Sequence, residues 1–368
     1  MMTILSFFIW SANPDIFIIP GLDHPVRWYG FLFALGFITS QQVVMWIYRS
    51  DGRNDKDVDQ LTMYMVIATV IGARLGHCLF YNPSFYLSNP LEILKIWEGG
   101  LASHGGALGI FLALYMYSRT KSDQSYMWVL DRIAIVTLMT GSLIRMGNFM
   151  NSEIIGLPTN SGYGVVFARG AEDVLMNSFI GIDDVNFESG GEAMSNEPGT
   201  RPMIISIKME RGQDISEDQA VSLIGRDIRN KLIRHSLINP HIYQDPQQAL
   251  NYKLYKKGGI QYVDIHTLGV PRHPAQLYES IYCFVLFLLL LYIWYYHRNK
   301  INEGFLFGLF MFGLLTLRFI DEFFKENQES WEADIPLNMG QWLSIPLALV
   351  GLFILIRAIV MKKESKTE

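Results

Sequence analysis

Only two cysteines occur in 368 residues, Cys78 and Cys283, and both lie inside apolar runs. Two thiols so placed exclude a disulfide framework, and neither shows the electropositive neighbourhood that a thiolate nucleophile needs, so both read as packing residues. Charge is scarce too: 18% of the residues are Asp, Glu, Lys or Arg, and the formal net charge is -5. With no block of Lys and Arg interleaved with aromatics, that balance excludes nucleic acid as a partner. No H-E-x-x-H pair is present, which removes the zinc-protease class, and no internal repeat or long low-complexity tract occurs. The stretch Met1 to Trp10 lacks both a basic start and a small-residue cleavage site, so it is expected to be a retained apolar segment near a membrane interface.

What the chain has in quantity is apolar surface: half of its residues are hydrophobic and 13% are aromatic. A chain of that kind needs lipid as solvent. Seven stretches, at about 28 to 47, 61 to 81, 101 to 118, 127 to 146, 275 to 297, 304 to 320 and 342 to 361, approach the roughly 20 apolar residues of a membrane span. The third and sixth are short and contain glycine, as tilted or re-entrant segments do.

Lys and Arg collect in alternate connections: Arg49, Arg53 and Lys56 follow the first span, Arg119 and Lys121 the third, and Arg298 and Lys300 the fifth. Arg357, Lys362, Lys363 and Lys366 close the chain. The positive-inside rule then predicts an outer N-terminus and a cytoplasmic C-terminus. Residues 160–272 fall outside and read as a small α/β unit. Pro202 to Arg211 alternates like a strand, Ser216 opens an amphipathic helix to His235, and Gln261 to Thr267 suits a second strand. Residues 183–200, rich in Gly, Ser, Asn, Asp and Glu, read as a mobile loop. The predicted fold is an all-α polytopic membrane protein of seven transmembrane helices with a small α/β insert: residues 1–159 with four spans, the insert 160–272, and residues 273–368 with three spans and a tail.

Ionisable groups in a span are costly, so each is a site hypothesis. Four clusters stand out, all expected at the outer leaflet. Glu98 to Gly109 brings His104 to the start of the third span on a glycine-rich run, and reads equally as a close helix packing or as a site. Gly141 to Thr159 carries Arg145, Asn148, Asn151 and Glu153; a helix cap accounts for Asn151 or Gly156 but not for Arg145. His273 to Glu279 places Gln276 and Glu279 on one face, with Tyr278 between them. Arg318 and Glu322 stand four apart, as a site or as a self-neutralising ion pair. Tyr29 falls at the same level, as a site residue or as part of an aromatic belt. Two arginines converging there would form a receptor for a lipid phosphate, because a guanidinium offers planar paired donors.

Together these clusters resemble the prolipoprotein diacylglyceryl transferase family. The resemblance rests on Arg145-Met146-Gly147-Asn148-Phe149-Met150-Asn151-Ser152-Glu153-Ile154-Ile155-Gly156-Leu157-Pro158-Thr159, with Val26 to Gly30, His104-Gly105-Gly106, His273 to Glu279, Arg318 to Phe324 and Gly340 to Pro346 in support. It implies a multi-pass enzyme of the bacterial inner membrane with a periplasmic site. Its substrates would be phosphatidylglycerol and the lipobox cysteine of a prolipoprotein signal peptide, and neither metal nor cofactor would be needed. It carries over Tyr29, His104, Arg145, Arg318 and Glu322 as catalytic positions. Arg145, Asn148, Glu153 and Gly156 carry over as substrate-binding ones, joined by Gln276, Tyr278 and Glu279 from the His-Pro box. The sequence departs from the family pattern at Ile144, Ala275 and Lys325 to Asn327, and its insert from about 170 to 262 is longer than the resemblance leads one to expect. Two other classes are set aside on the residues: a transporter, because no inverted repeat is seen and the polar groups gather at one leaflet, and a receptor, which leaves Arg145 to Glu153 without a role.

Overall fold

The computed structural model describes residues 7–21, 24–95, 100, 102–192, 197–326, 332 and 335–361. Expectations resting on Met1, Glu98, Gly99, Leu101, Asn327, Lys362, Lys363 and Lys366 lie outside these residues.

Each predicted span is a helix: α1 Trp28–Ser50, α2 Asp55–Phe80, α4 Ser103–Arg119, α5 Tyr126–Met150, α9 Ala275–His297, α10 Phe305–Asp321 and α11 Met339–Val360, with a short α3 at Pro83–Ser88. Among the described residues, five of them, α1, α2, α5, α9 and α11, are long and apolar enough to cross a membrane. Helices α4 and α10 fall short at 17 residues each. They are the two stretches whose brevity was visible in the sequence.

The chain forms two compact units. One comprises residues 33–144, 280–319 and 339–368. Its core is a continuous apolar cluster running from Val44, Ile47 and Tyr48 through Leu130 to Leu138 and on to Leu286, Leu290, Trp294 and Phe310. Small residues set the closest approach within it. A Cβ on Gly76 would stand 2.7 Å from the Gly105 Cα, and one on Gly72 would stand 3.1 Å from the Gly109 Cα, so α2 and α4 meet backbone to backbone. The packing reading of the glycine run therefore holds for Gly105 and Gly109. Buried Asp131, midway along an apolar sequence, caps another helix: its carboxylate accepts from Gly304 N and Phe307 N, both at 2.8 Å, satisfying donors of the first turn of α10 that have no partner within the helix.

The other unit comprises residues 1–32, 145–279 and 320–338. It holds the insert, an antiparallel sheet of five strands in the order β5 (Ile182–Ser189), β6 (Arg201–Met209), β9 (Ile260–Gly269), β7 (Ile242–Tyr243), with β8 (Asn251–Lys257) also paired to β9. Alternate residues of β6 and β9, including Met203, Ile205, Ile207, Val263 and Ile265, enter a core closed by α6 (Arg169–Ser178), α7 (Glu217–Ser222) and α8 (Arg229–Arg234). A π-type turn at Leu223–Ile228 joins the last two into one run. The expected opening is present: Ser216 accepts from Gln219 N while Gln219 reaches back to Ser216 N, a complete capping box.

One expectation needs correction. Residues 183–189 belong to β5, not to a loop: Val185 is buried and Phe187 half-buried, an inward alternation hidden by the Asp, Asn and Glu between them. Phe7–Trp10 is a strand, β1, paired in parallel with β4 at Gly164–Phe167. Two further strands, β2 at Asp15–Ile19 and β3 at His24–Arg27, form a hairpin before α1.

His241 in this unit is held neutral. Burial, and after it the nearby charge of Arg272, pushes its pKa down from 6.5 to about 4, and its Nδ1 has no hydrogen-bond partner among the described residues. A group depressed in the fold binds protons more tightly when unfolded. Its stabilisation is therefore present above about pH 6.5 and is lost as pH falls through about 4. The stake is on the order of 2 to 3 kcal/mol. Denaturant unfolding near neutral pH and near pH 4.5 should show the wild type losing more stability than His241→Gln; equal losses would contradict this assignment.

Candidate active site

The site is built where α5 ends. Arg145 and Asn148 lie one turn apart, and Arg145 Nη1 donates to Asn148 Oδ1 at 3.1 Å. Asn148, buried, passes the link on, with its Nδ2 donating to Glu153 Oε2 at 3.1 Å. Asn151 Nδ2 reaches the other oxygen of Glu153 at 3.2 Å. Glu153 faces back toward α5 because the chain reverses around it: Ser152 and Ile154 both adopt left-handed backbone, with φ of 54° and 57°. For a β-branched residue such as Ile154 that conformation is strained. It persists because both sides are tied, by Glu153 N to Asn148 O at 3.0 Å and by Gln276 Nε2 on the Glu153 carbonyl.

The His-Pro box supplies the counter-charge. Glu279, on the first turns of α9 and 5% exposed, forms an ion pair with Arg145, its Oε2 2.9 Å from Nε. Lys325 Nζ meets the same oxygen at 3.1 Å. The Lys325 ammonium, 4% exposed, also lies 3.0 Å from Asp321 Oδ2 and 3.2 Å from Glu322 Oε1. The Asp321 approach is off the hydrogen-bonding direction, so attraction between charges is the link there. Asn338 Nδ2 donates to the other oxygen of Glu322 at 3.2 Å. Arg145 thus has one Nη1 hydrogen committed to Asn148 and its Nε beside a carboxylate, while its Nη2 meets no acceptor among the described residues.

Arg272 pins the loops around this centre. Fully buried, it donates through Nε to Gly156 O at 2.9 Å and through Nη1 to Pro240 O at 2.7 Å, and its Nη2 pairs with Glu326. Burial lowers its pKa, and Glu326 opposes that shift. Gly156 itself leaves no room: a Cβ would stand 2.5 Å from His273 O and 2.6 Å from Phe324 O, where three chain segments meet. Its place among the site positions is one of close approach. Tyr29 packs on α5 at Gly147, whose Cβ would fall 3.0 Å from the ring. Tyr278 bonds His273 Nδ1 at 3.1 Å.

Tyr29, Arg145, Asn148, Glu153, Gly156, Gln276, Tyr278, Glu279 and Glu322 all belong to this one unit. His104 and Arg318 belong to the other. His104 is exposed in the first turn of α4, its ring 5.2 Å from that of Phe80 and 6.1 Å from that of Tyr81. Beneath it, buried Arg74 crosses back from α2 to the carbonyls of Glu92, Ile93 and Gly100 at 2.6, 2.9 and 3.3 Å, fixing the approach to α4. Arg318 is half-buried in the last turn of α10. Sequence reasoning passed over Arg74, Arg272 and Asp321, and saw Lys325 only as a departure. Arg74 carried a readable signal, a cation inside an apolar span, whereas Arg272 resembles any loop arginine. A cavity of about 1250 Å³ lies elsewhere, lined by Asp51, Asp131, Arg132, Arg298 and Arg357 among others. Its Asp51 is paired with Arg132 at 2.8 Å and Asp131 is occupied as a cap, so its charges serve the scaffold.

The profile of the prolipoprotein diacylglyceryl transferase family matches residues 14–357. The chain belongs to this family. Curated relatives named phosphatidylglycerol–prolipoprotein diacylglyceryl transferase include one from Tolumonas auensis, 35% identical over 347 residues, covering 94% of this chain and 96% of the relative. Those from Chloroherpeton thalassium and Porphyromonas gingivalis are each 32% identical, over 363 and 365 residues, covering 98% and 97% of both partners. Matches spanning nearly the whole of both chains mean that these relatives have about this length, so the long insert does not set the chain apart from them.

Replacing Arg272 by Met would leave two backbone carbonyls and Glu326 without their partner in a buried setting. The expected cost is about 3 to 5 kcal/mol. Thermal unfolding in detergent should report it as a clearly lowered midpoint, and an unchanged midpoint would contradict the pinning role.

Proposed function

We propose that this protein transfers the diacylglyceryl group of phosphatidylglycerol to the lipobox cysteine thiol of a prolipoprotein. The carrying observation is Arg145: Glu279 and Asn148 hold its guanidinium from one side, and Nη2 remains to receive a phosphate oxygen. Family membership supplies the reaction. The thiolate sulfur attacks the glyceryl carbon, the bond from that carbon to the phosphate oxygen breaks, and glycerol phosphate leaves with the electron pair. A thioether remains on the cysteine, and the thiol proton passes to a base.

Arg145 and Arg318 bind the phosphate and stabilise the charge that grows on it as the bond breaks. His104 is the base for the thiol, whose ordinary pKa near 8.5 leaves it only partly ionised at neutral pH. Asn148 and Tyr29 donate hydrogen bonds to the lipid head. Glu153 and Glu322 act on this centre indirectly: Glu153 steadies Asn148, Glu322 neutralises Lys325, and Glu279 is the carboxylate on Arg145. The arrangement we favour has seven spans, with α4 and α10 crossing in the company of their neighbours, in the bacterial inner membrane. The N-terminus and the 160–272 head would be periplasmic and the C-terminus cytoplasmic, as the Lys and Arg asymmetry requires. Residues 1–159 and 273–368 would flank that head as its membrane parts.

Purified protein in detergent containing phosphatidylglycerol, given a lipobox peptide, should form thioether lipid and release glycerol phosphate. Folded Arg145→Ala should be slower by roughly 100-fold or more. Absence of product from folded wild type over varied lipid and peptide would overturn the reading. For folded His104→Gln in the same assay, the rate should drop by roughly 100-fold or more; near-normal turnover would remove His104 as the base.

A further inference from the structure

We infer that Lys325 is a positioning residue for Arg145, acting through one shared carboxylate oxygen. The inference rests on the reading of Arg145 as the phosphate ligand. Glu279 Oε2 lies between two cations, 2.9 Å from Arg145 Nε and 3.1 Å from Lys325 Nζ. A glutamate with one cationic neighbour can turn about its side-chain bonds and take that neighbour with it. A second cation on the same oxygen, itself held by Asp321 and Glu322, removes that freedom. Arg145 then meets its ligand with its direction already set, which lowers the ordering cost of binding.

Among the described residues, carboxylates reach Lys325 from two elements, Glu279 from α9 and Asp321 and Glu322 from the end of α10, and Arg145 of α5 stands on the same Glu279 oxygen. Asn338 steadies Glu322 from the approach to α11. The cluster carries one more carboxylate than cation. An ammonium suits this centre, since one small head can stand 3.0 to 3.2 Å from three carboxylates at once, donating to Glu279 and Glu322 and attracting Asp321 by charge. Burial makes the arrangement demanding: removing the cation alone would leave three carboxylates facing one arginine in a poorly solvated place.

That imbalance allows folding and positioning to be separated. Lys325→Met should lower the unfolding midpoint and raise KM for phosphatidylglycerol by roughly tenfold or more, with KM for the acceptor peptide unchanged. Lys325→Arg should stay within roughly threefold of wild type, because it restores a cation. The double variant Asp321→Asn/Lys325→Met removes one charge of each sign and keeps the net charge of the cluster. It should recover the midpoint while KM for the lipid stays high, since Glu279 still lacks its second cation. It also carries the test if Lys325→Met fails to fold. Return of KM together with the midpoint would make Lys325 a merely structural residue and overturn the inference, as would an unchanged KM in folded Lys325→Met. Inactive folded wild type would overturn the reading of the site itself, and this inference with it.

Discussion

A guanidinium can rest at the edge of lipid only if a carboxylate accompanies it, and Glu279 is that carboxylate for Arg145. The rest of the centre follows from this pairing. Glu279 needs a second cation because it is buried, Lys325 then needs Asp321 and Glu322, and Glu322 takes Asn338. On the other side, Arg145 leads through Asn148 to Glu153, and the strained turn at Ile154 is tolerated because Glu153 is tied from both ends. A network this connected leaves little slack.

Much of the scaffold was legible because lipid imposes a simple code. Apolar runs had to be helices, and all seven are, with α4 and α10 betraying their shortness in advance. The capping box at Ser216 and the alternation of β6 and β9 are local signals that need no knowledge of partners. Strand β5 was lost because Asp183, Asp184 and Asn186 point outward and resemble loop composition. The N-terminal strand β1 was lost because its partner, β4, lies far along the chain.

Of the candidate site, the run after Arg145 was legible as a cluster, and its wiring was not. Arg145, Asn148 and Glu153 are neighbours in sequence, and their chain of hydrogen bonds follows from helical spacing. That Arg145 would choose Glu279 over Glu153 could not be read, since it depends on how α9 meets the loop after α5. Buried charge inside a span was taken as a mark of function, and Asp131 and Arg74 show the other use. One caps a helix and the other gathers carbonyls, and each settles a polar debt of the backbone.

The Asp131 cap has a consequence for biogenesis. Helix α10 is short for a membrane span, and its first turn is completed by a carboxylate from α5, a helix made much earlier. During synthesis the start of α10 has no internal acceptor for those amides until it reaches Asp131. Completion of that first turn is therefore a joint event with α5, and the order in which the chain emerges makes the acceptor before its donors arrive.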